Sequence, residues 1–251
     1  MKFKSDKLVG AFCILIICIS CSRSNSEKAS HFLKIDEDKY QSGDYAGAIA
    51  YCNEVLEFDS NNVSAYNDRA ASKNRLKDYA GAIADCNRAI ALSPSYVSPY
   101  NNLAFAMQQL GDLSGSLKIY NKAIALDPKH ATSYDYRGVL RGVFLKDYKG
   151  AIADFNEAIR LNPYSAESYL NRGFAKYYSG DNVGSVADLT TAIKLNPNDF
   201  RTYNRRGMAK SKLGDYSGAI DDYNKAIELN PQYAEAYTNL SFSKERLTNQ
   251  K

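Results

Sequence analysis

Tryptophan is absent from this 251-residue chain, and histidine and methionine are scarce at two and three. Neither His31 nor His130 sits in a cluster of ligand-type residues at metal-binding spacing, so no metal site is expected. No Gly-rich phosphate loop, no His-Glu-x-x-His and no nucleophile–base–acid set is visible. The chain reads as a non-enzyme that needs no cofactor. Charge of one sign is lacking as well. The whole chain carries +4, and beyond Met1–Cys21 there are 29 Lys and Arg against 27 Asp and Glu, or +2. Nucleic-acid binding needs a concentrated patch that neutralises phosphates, and none stands out.

Long apolar runs are scarce too. The one such run, Leu8 to Ser20, is uncharged and follows the basic start Met1–Lys7. It falls short of the ~20 residues of a membrane-spanning helix and fits the apolar region of an export signal. The run ends in Cys18-Ile19-Ser20-Cys21-Ser22. A small residue directly before Cys resembles the lipobox of bacterial lipoproteins, although Cys18 stands where such boxes usually carry Leu, Val or Ile. The resemblance implies a signal over residues 1–21, acylation of Cys21, and a membrane protein of the bacterial envelope. Ser22, in place of Asp, leans toward the outer membrane, facing the periplasm. Acyl chains contribute about 0.8 kcal/mol per buried methylene, enough for stable anchoring when several share one Cys. The alternatives are an ordinary signal cut near Ser20, giving a periplasmic or secreted protein, and an uncleaved short anchor. Ser22–Lys28 is Ser-rich and polar, a flexible tether.

What the chain has in abundance is tyrosine, 20 in all, and internal repetition. An aromatic marker recurs at Phe32, Tyr66, Tyr100, Tyr134, Tyr169, Tyr203 and Tyr237, every 34 residues with one step of 35. Ala48-Ile49, Ala82-Ile83, Ala151-Ile152 and Ala219-Ile220 keep the same register, as do Pro94, Pro128, Pro163, Pro197 and Pro231. Within a unit, apolar residues at three- and four-residue intervals predict helix, turn, helix. In the last full unit Gly214-Asp215 breaks the first helix and Asp215 is placed to cap the second. Ala219, Ile220, Tyr223, Ala226, Ile227 and Leu229 form the expected buried stripe, and Pro231 ends the helix. Gly138, Gly173 and Gly207 are small where the two helices must approach closely. The recurring acidic pair Asp221-Asp222 reads as part of a solvated outer face. The extra residue of the fourth unit is expected in its turn, around Phe144-Leu145-Lys146.

This pattern resembles the tetratricopeptide repeat: an aromatic, a small residue four later, an Ala opening the second helix, an aromatic four beyond it, an Ala three later and a closing Pro. The resemblance implies an all-α, right-handed superhelical solenoid of six helical hairpins plus a C-terminal capping helix. The units run over residues 29–62, 63–96, 97–130, 131–165, 166–199 and 200–233, with the cap over 234–251. The first unit departs from the pattern, as edge repeats do when one face meets water.

Few residues remain for function. Cys52 and Cys86 occupy equivalent positions of successive repeats, which lie at least a helix diameter of ~8–10 Å apart, so free buried thiols are expected. By resemblance, the first helix of each repeat lines a concave groove. Two residues past the marker stand Asn102, Tyr136, Asn171, Arg205 and Asn239. Five past it stand Phe105, Val139, Phe174, Met208 and Phe242. Amide and guanidinium donors beside an apolar strip suit an extended peptide, so a protein or peptide partner is expected there. Some members of the family grip a terminal carboxylate, and Asn171, Arg201 and Arg205 resemble two of the three parts of such a clamp. Asp135 occupies the place of the first part and would repel a carboxylate. The expected role is a membrane-tethered scaffold in envelope assembly. A soluble adaptor and, further off, a polysaccharide-handling enzyme are the alternatives.

Overall fold

The computed structural model describes residues 39–249. The expected acylation site Cys21, the tether, His31 and Phe32 lie outside the described residues. Among the described residues, which hold no strand, the helical residues 39–42 are followed by twelve α-helices and one π-helical turn: α1 Tyr45–Phe58, α2 Val63–Arg75, α3 Tyr79–Leu92, α4 Ser98–Gln109, α5 Leu113–Leu126, α6 Ala131–Val139, the π turn Leu140–Phe144, α7 Tyr148–Leu161, α8 Ala166–Ser179, α9 Asn182–Leu195, α10 Phe200–Lys212, α11 Tyr216–Leu229 and α12 Ala234–Thr248. The chain is an all-α array of antiparallel hairpins. It forms two compact units that divide between Leu110 and Gly111, in the turn of the third repeat. The first unit holds α1–α4 and the second α5–α12. Among the described residues no helix is long and apolar enough to cross a membrane.

The second helix of every repeat starts the same way. Asp44, Asp78, Asp112, Asp147, Asp181 and Asp215 each accept, through Oδ1, the backbone N–H of the residue three on, at 2.8–3.0 Å. Each such cap stabilises its helix by about 1 kcal/mol. The donor is Gly in all six, and at Gly47, Gly81, Gly150, Gly184 and Gly218 a Cβ would lie 2.1–2.3 Å from the capping carboxylate. The turn just before the cap needs a left-handed residue. Gly111, Gly180 and Gly214 supply it at φ 91°, 90° and 82°, whereas Lys77 and Lys146 are forced to φ 64° and 56°.

In α11 the buried stripe is Ala219, Asp222, Tyr223 and Ala226, while Ile220, Ile227 and Leu229 are only half-buried. The helix-A glycines make room for a particular side chain. A Cβ on Gly138, Gly173 or Gly207 would lie 2.7–2.8 Å from Phe155, Leu189 or Tyr223. The aromatic marker has a second duty beyond packing. Tyr66, Tyr100, Tyr134, Tyr203 and Tyr237 each donate the phenol O–H to the carbonyl six residues back, at 2.8–3.3 Å. In four of the five that carbonyl belongs to the closing proline, so the tyrosine clasps the turn that Pro makes.

The expectation for the helix-B acids is corrected in part. Asp221 is exposed, but Asp85, Asp154, Asp188 and Asp222 are buried, at 2–5% exposure. Each is held by two cations one turn apart on its own repeat's first helix: Arg69 and Lys73, Arg137 and Arg141, Arg172 and Lys176, Arg206 and Lys210. The arginine forks around the carboxylate and turns its remaining nitrogen to the preceding second helix, on Asn53, Asn121, Asn156 or Thr190. A buried carboxylate is tolerated only when paired in this way. The third repeat carries Leu103, Met107 and Ile119 in the three places, apolar all together.

Two smaller features matter for the site. The fourth repeat's extra residue is not in the turn, because Lys146 keeps the slot that Gly holds elsewhere. It is absorbed inside the first helix as the π turn Leu140–Phe144. His130 is half-buried, with Nδ1 3.0 Å from Ser133 Oγ. Cys52 and Cys86 are buried thiols not joined in a disulfide, and burial pushes the Cys86 thiol up to about 12.

Candidate functional site

Within each unit the first helices of consecutive repeats meet along a seam, and the residues one and two past the marker decide what happens there. In the first unit, Asn102 on α4 donates Nδ2 to the Oδ1 of Asn67 on α2, at 3.0 Å, and Asn74 Nδ2 donates to the Asn102 carbonyl at 3.0 Å. At the end of the second unit, Asn239 on α12 donates to Asn204 Oδ1 on α10, also at 3.0 Å. These two amides bond helix to helix.

Two other seams of the second unit, α6–α8 and α8–α10, depart from this rule. Opposite Arg205, on α10, the acceptor's place is taken by Leu170, whose side chain offers nothing to a donor. The guanidinium lies instead over the Phe174 ring, Cζ 3.9 Å from its centre, and Nη1 is buried with no hydrogen-bond partner. Burial first, and then the neighbouring Arg201, push the Arg205 guanidinium below its ordinary value. Opposite Asn171, on α8, stands Asp135. Its Oδ2 accepts from Ser168 Oγ at 2.9 Å, and its Oδ1 is buried and unpaired. Burial drives the Asp135 carboxyl up to about 6; the Ser168 hydrogen bond opposes this and Glu167 adds to it.

Cavities open where the seam changes. One of about 250 Å³ lies beside the π turn, with Val139, Gly142, Val143, Phe155, Phe174 and Tyr178 in its wall. Asn171 and Lys146 also line it. Tyr178 is fixed by three rings: stacked on Tyr148 at 5.4 Å, edge-on to Phe174 at 4.7 Å, and edge-on to Tyr177 at 5.3 Å. A second cavity of about 250 Å³ shares Phe174 and is walled by Phe200, Arg201, Arg205, Tyr233 and Glu235. Its charges are mostly matched. Arg201 pairs with Asp199 at 2.9 Å and Glu167 at 3.1 Å, and Glu235 accepts from the Tyr233 phenol at 2.8 Å. A third, of about 310 Å³, includes Met208, Asn239, Phe242 and Arg246.

The sequence-derived groove residues therefore separate. Asn171 and Phe174 meet at the first cavity, Phe174, Arg201 and Arg205 at the second, and Met208, Asn239 and Phe242 at the third. Asn102, Phe105 and Tyr136 line none of the three. Asn102 bonds within the first unit, Phe105 is half-buried there, and Tyr136 lies against Tyr120 with ring centres 6.2 Å apart. Tyr148, Tyr178, Val143, Phe200 and Tyr233 were not expected. For Val143 and Tyr148 the one signal was the 35-residue step, which marks the repeat where the first helix is remodelled; the other three left none. Apolar walls, stacked rings and an unpaired guanidinium can receive an apolar side chain or an anion. Among the described residues, no three His, Cys, Asp or Glu side chains are grouped to share a metal ion.

Comparisons with known proteins follow the same periodicity. Family models described as tetratricopeptide repeat match residues 97–130 and 200–233, and one described as TPR repeat matches 72–111 and 145–180. A search of curated proteins found no match. Solved structures share the fold. The APC/C hetero-tetramer Cut9-Hcn1 aligns at TM-score 0.77 and 20% identity over 86% of this chain, which spans only 42% of the length of that one. A tetratricopeptide repeat protein from Parabacteroides merdae aligns at 0.63 and 19% identity, over 88% of this chain and 89% of that one. YrrB, described as a TPR protein with an unusual peptide-binding site, aligns at 0.57 and 16% identity, over 74% and 96%.

Proposed function

The chain belongs to the tetratricopeptide-repeat family, and from that premise we propose that it is a non-catalytic scaffold that binds a partner protein or peptide along the first helices of its second unit. The observation that carries this reading is the change of seam between α6 and α10. Asn102 and Asn239 are engaged in joining helices, whereas the Arg205 Nη1 has no partner and Asn171 lines an open cavity. A buried donor without a partner costs about 1–3 kcal/mol. A ligand that supplies the acceptor recovers that cost, and a preformed site loses little entropy on binding. YrrB, with its peptide-binding site, is a parallel in kind only.

Photo-crosslinking tests the reading. A benzophenone amino acid at the exposed Tyr178 or Phe242 should capture a partner from the source cell, and one at the exposed Asp221 of α11 should not. Equal capture from both positions, or none from the first two, overturns it.

We further propose that acylated Cys21 holds the scaffold at a bacterial membrane, outer membrane favoured, where it serves envelope assembly. Support comes from the apolar run ending in Ser20-Cys21. Detergent phase partitioning of wild type and Cys21→Ala decides it. The variant should leave the detergent phase; if it stays, the anchor is not at Cys21 and the soluble-adaptor reading also fails.

A further inference from the structure

We infer that the cavity beside the π turn is an anchor site for one large apolar side chain, Phe or Leu in size, within an acidic stretch of the partner. The inference rests on the scaffold reading above and specifies its ligand. Four observations lead to it.

The first is size. At about 250 Å³ the cavity falls just under the ~300–1,000 Å³ of small-molecule sites, so it suits a single side chain. The second is lining. Val139, Val143, Phe155, Phe174 and Tyr178 make it an apolar hole, and Gly142 contributes no side chain to fill it. The third is rigidity. Tyr178 is gripped by Tyr148, Phe174 and Tyr177, so the wall exists before a ligand arrives. The cavity adjoins the π turn, whose Gly142 and Val143 line it. Such turns are frequent at functional sites.

The fourth observation is charge. Two cations border this region without an anionic partner. Lys146 lines the cavity and forms none of the ion pairs that occupy its neighbours. Arg205 sits across the Phe174 ring with Nη1 unpaired. Asp135, across the seam from Asn171, is the one nearby acid with an unpaired oxygen, and burial lifts it to about 6, so that it opposes an acidic ligand least at mildly acid pH; the other acids are engaged. Asp147 caps α7, Asp154 is held by Arg137 and Arg141, and Glu167 and Asp199 are held by Arg201. Phe174 lines the apolar cavity and carries Arg205 over its ring, Cζ 3.9 Å from the centre, a distance that extended chain at ~3.3 Å per residue covers in one or two residues. A carboxylate one or two residues from the anchor would reach Arg205, and one on the other side would reach Lys146. Asn171, inside the cavity, is placed to bond a peptide backbone group.

The test uses the full chain and short fluorescent peptides, acetylated and C-terminally amidated so that no terminal charge contributes. Fluorescence anisotropy compares Phe flanked by Asp, by Asn and by Lys, and Ala flanked by Asp. Phe between aspartates should bind at least about ten-fold more tightly than either Phe between asparagines or Ala between aspartates. Arg205→Gln should erase the preference for Asp and keep that for Phe. Val143→Trp, at a position 47% exposed and so safe for folding, should fill the hole and erase the preference for Phe. Should Arg205→Gln lose its helical circular dichroism, Lys146→Gln at an exposed site replaces it with the same expectation. Equal binding of the Lys-flanked peptide, no advantage of Phe over Ala, or an Asp preference untouched by the cation variants overturns the inference. If crosslinks from Tyr178 form while the peptides show no discrimination, the inference falls and the scaffold stands. If no crosslink forms, both fall.

Discussion

Replacing Asp188 by Ala would leave two cations facing each other in a nearly closed space. Asp188 receives Arg172 at 2.6 Å and Lys176 at 2.8 Å, with side-chain exposures of 7%, 16% and 20%. Removing one partner of a buried ion pair costs 3–5 kcal/mol, because the remaining charge is neither paired nor hydrated. Here the cations keep some access to water, so the expected loss is about 2–4 kcal/mol. Part of it is a loss between repeats, since the Asp-held Arg172 also donates to Asn156 at 2.8 Å on the preceding second helix. The chain itself suggests the control: Leu103, Met107 and Ile119 occupy the same three places in the third repeat. The triple change Arg172→Leu, Lys176→Met, Asp188→Ile should fall within about 1 kcal/mol of wild type, because no charge remains to be desolvated. Urea unfolding followed by far-ultraviolet circular dichroism reads both. An array can unfold piecewise, so hydrogen exchange of α8 and α9 should localise the effect. If Asp188→Ala costs less than about 1 kcal/mol, or if the triple variant is as damaged as the single one, these triads do not hold the repeats together.

Three further outcomes are expected. Asp135 has a folded-state value near 6, above the ~3.9 of an unfolded chain. Its protonated form is favoured on folding, so its contribution is most favourable below pH 4 and is lost as pH rises through 6. Asp135→Asn should therefore stabilise by about 1–2 kcal/mol at pH 7.5, with an advantage that shrinks toward pH 4; a pH-independent difference would contradict the cause given. Lys77→Gly should stabilise by about 0.5–1 kcal/mol in thermal unfolding, since φ 64° strains a residue with a Cβ and not a glycine. Tyr100→Phe should cost about 1 kcal/mol, because its buried phenol donates to Pro94 at 2.8 Å, while Tyr237→Phe, 47% exposed with a 3.2 Å bond, should cost near nothing. Equal effects of the two changes would deny that burial sets the value of this clasp.

The repeats were legible because their causes are local. A helix cap needs Asp before a Gly, a stop needs Pro, and close helix contact needs Gly or Ala, so each leaves a letter at a set place. The triads were also legible in principle. Arg172, Lys176 and Asp188 are charged together, and Leu103, Met107 and Ile119 are apolar together, yet taken singly the acids looked like a solvated face. The π turn was half legible. The 35-residue step announced an extra residue, but Lys146 takes the left-handed turn position, so the strain went into the helix.

The candidate site divides along the same line. Chain order alone placed Asn102, Asn171, Arg205 and Asn239 in equivalent positions, and the period alone put them on first helices. Which of them remains available to a partner depends on a residue about 35 positions earlier, across the seam: Asn67 and Asn204 accept, Leu170 does not, and Asp135 turns to Ser168. A donor's availability is a property of what packs against it. The amino-acid order determined the helical array and the helices that carry a site, whereas only the tertiary packing decided that the cavity opens beside Phe174 and that the Arg205 Nη1 is left without a hydrogen-bond partner.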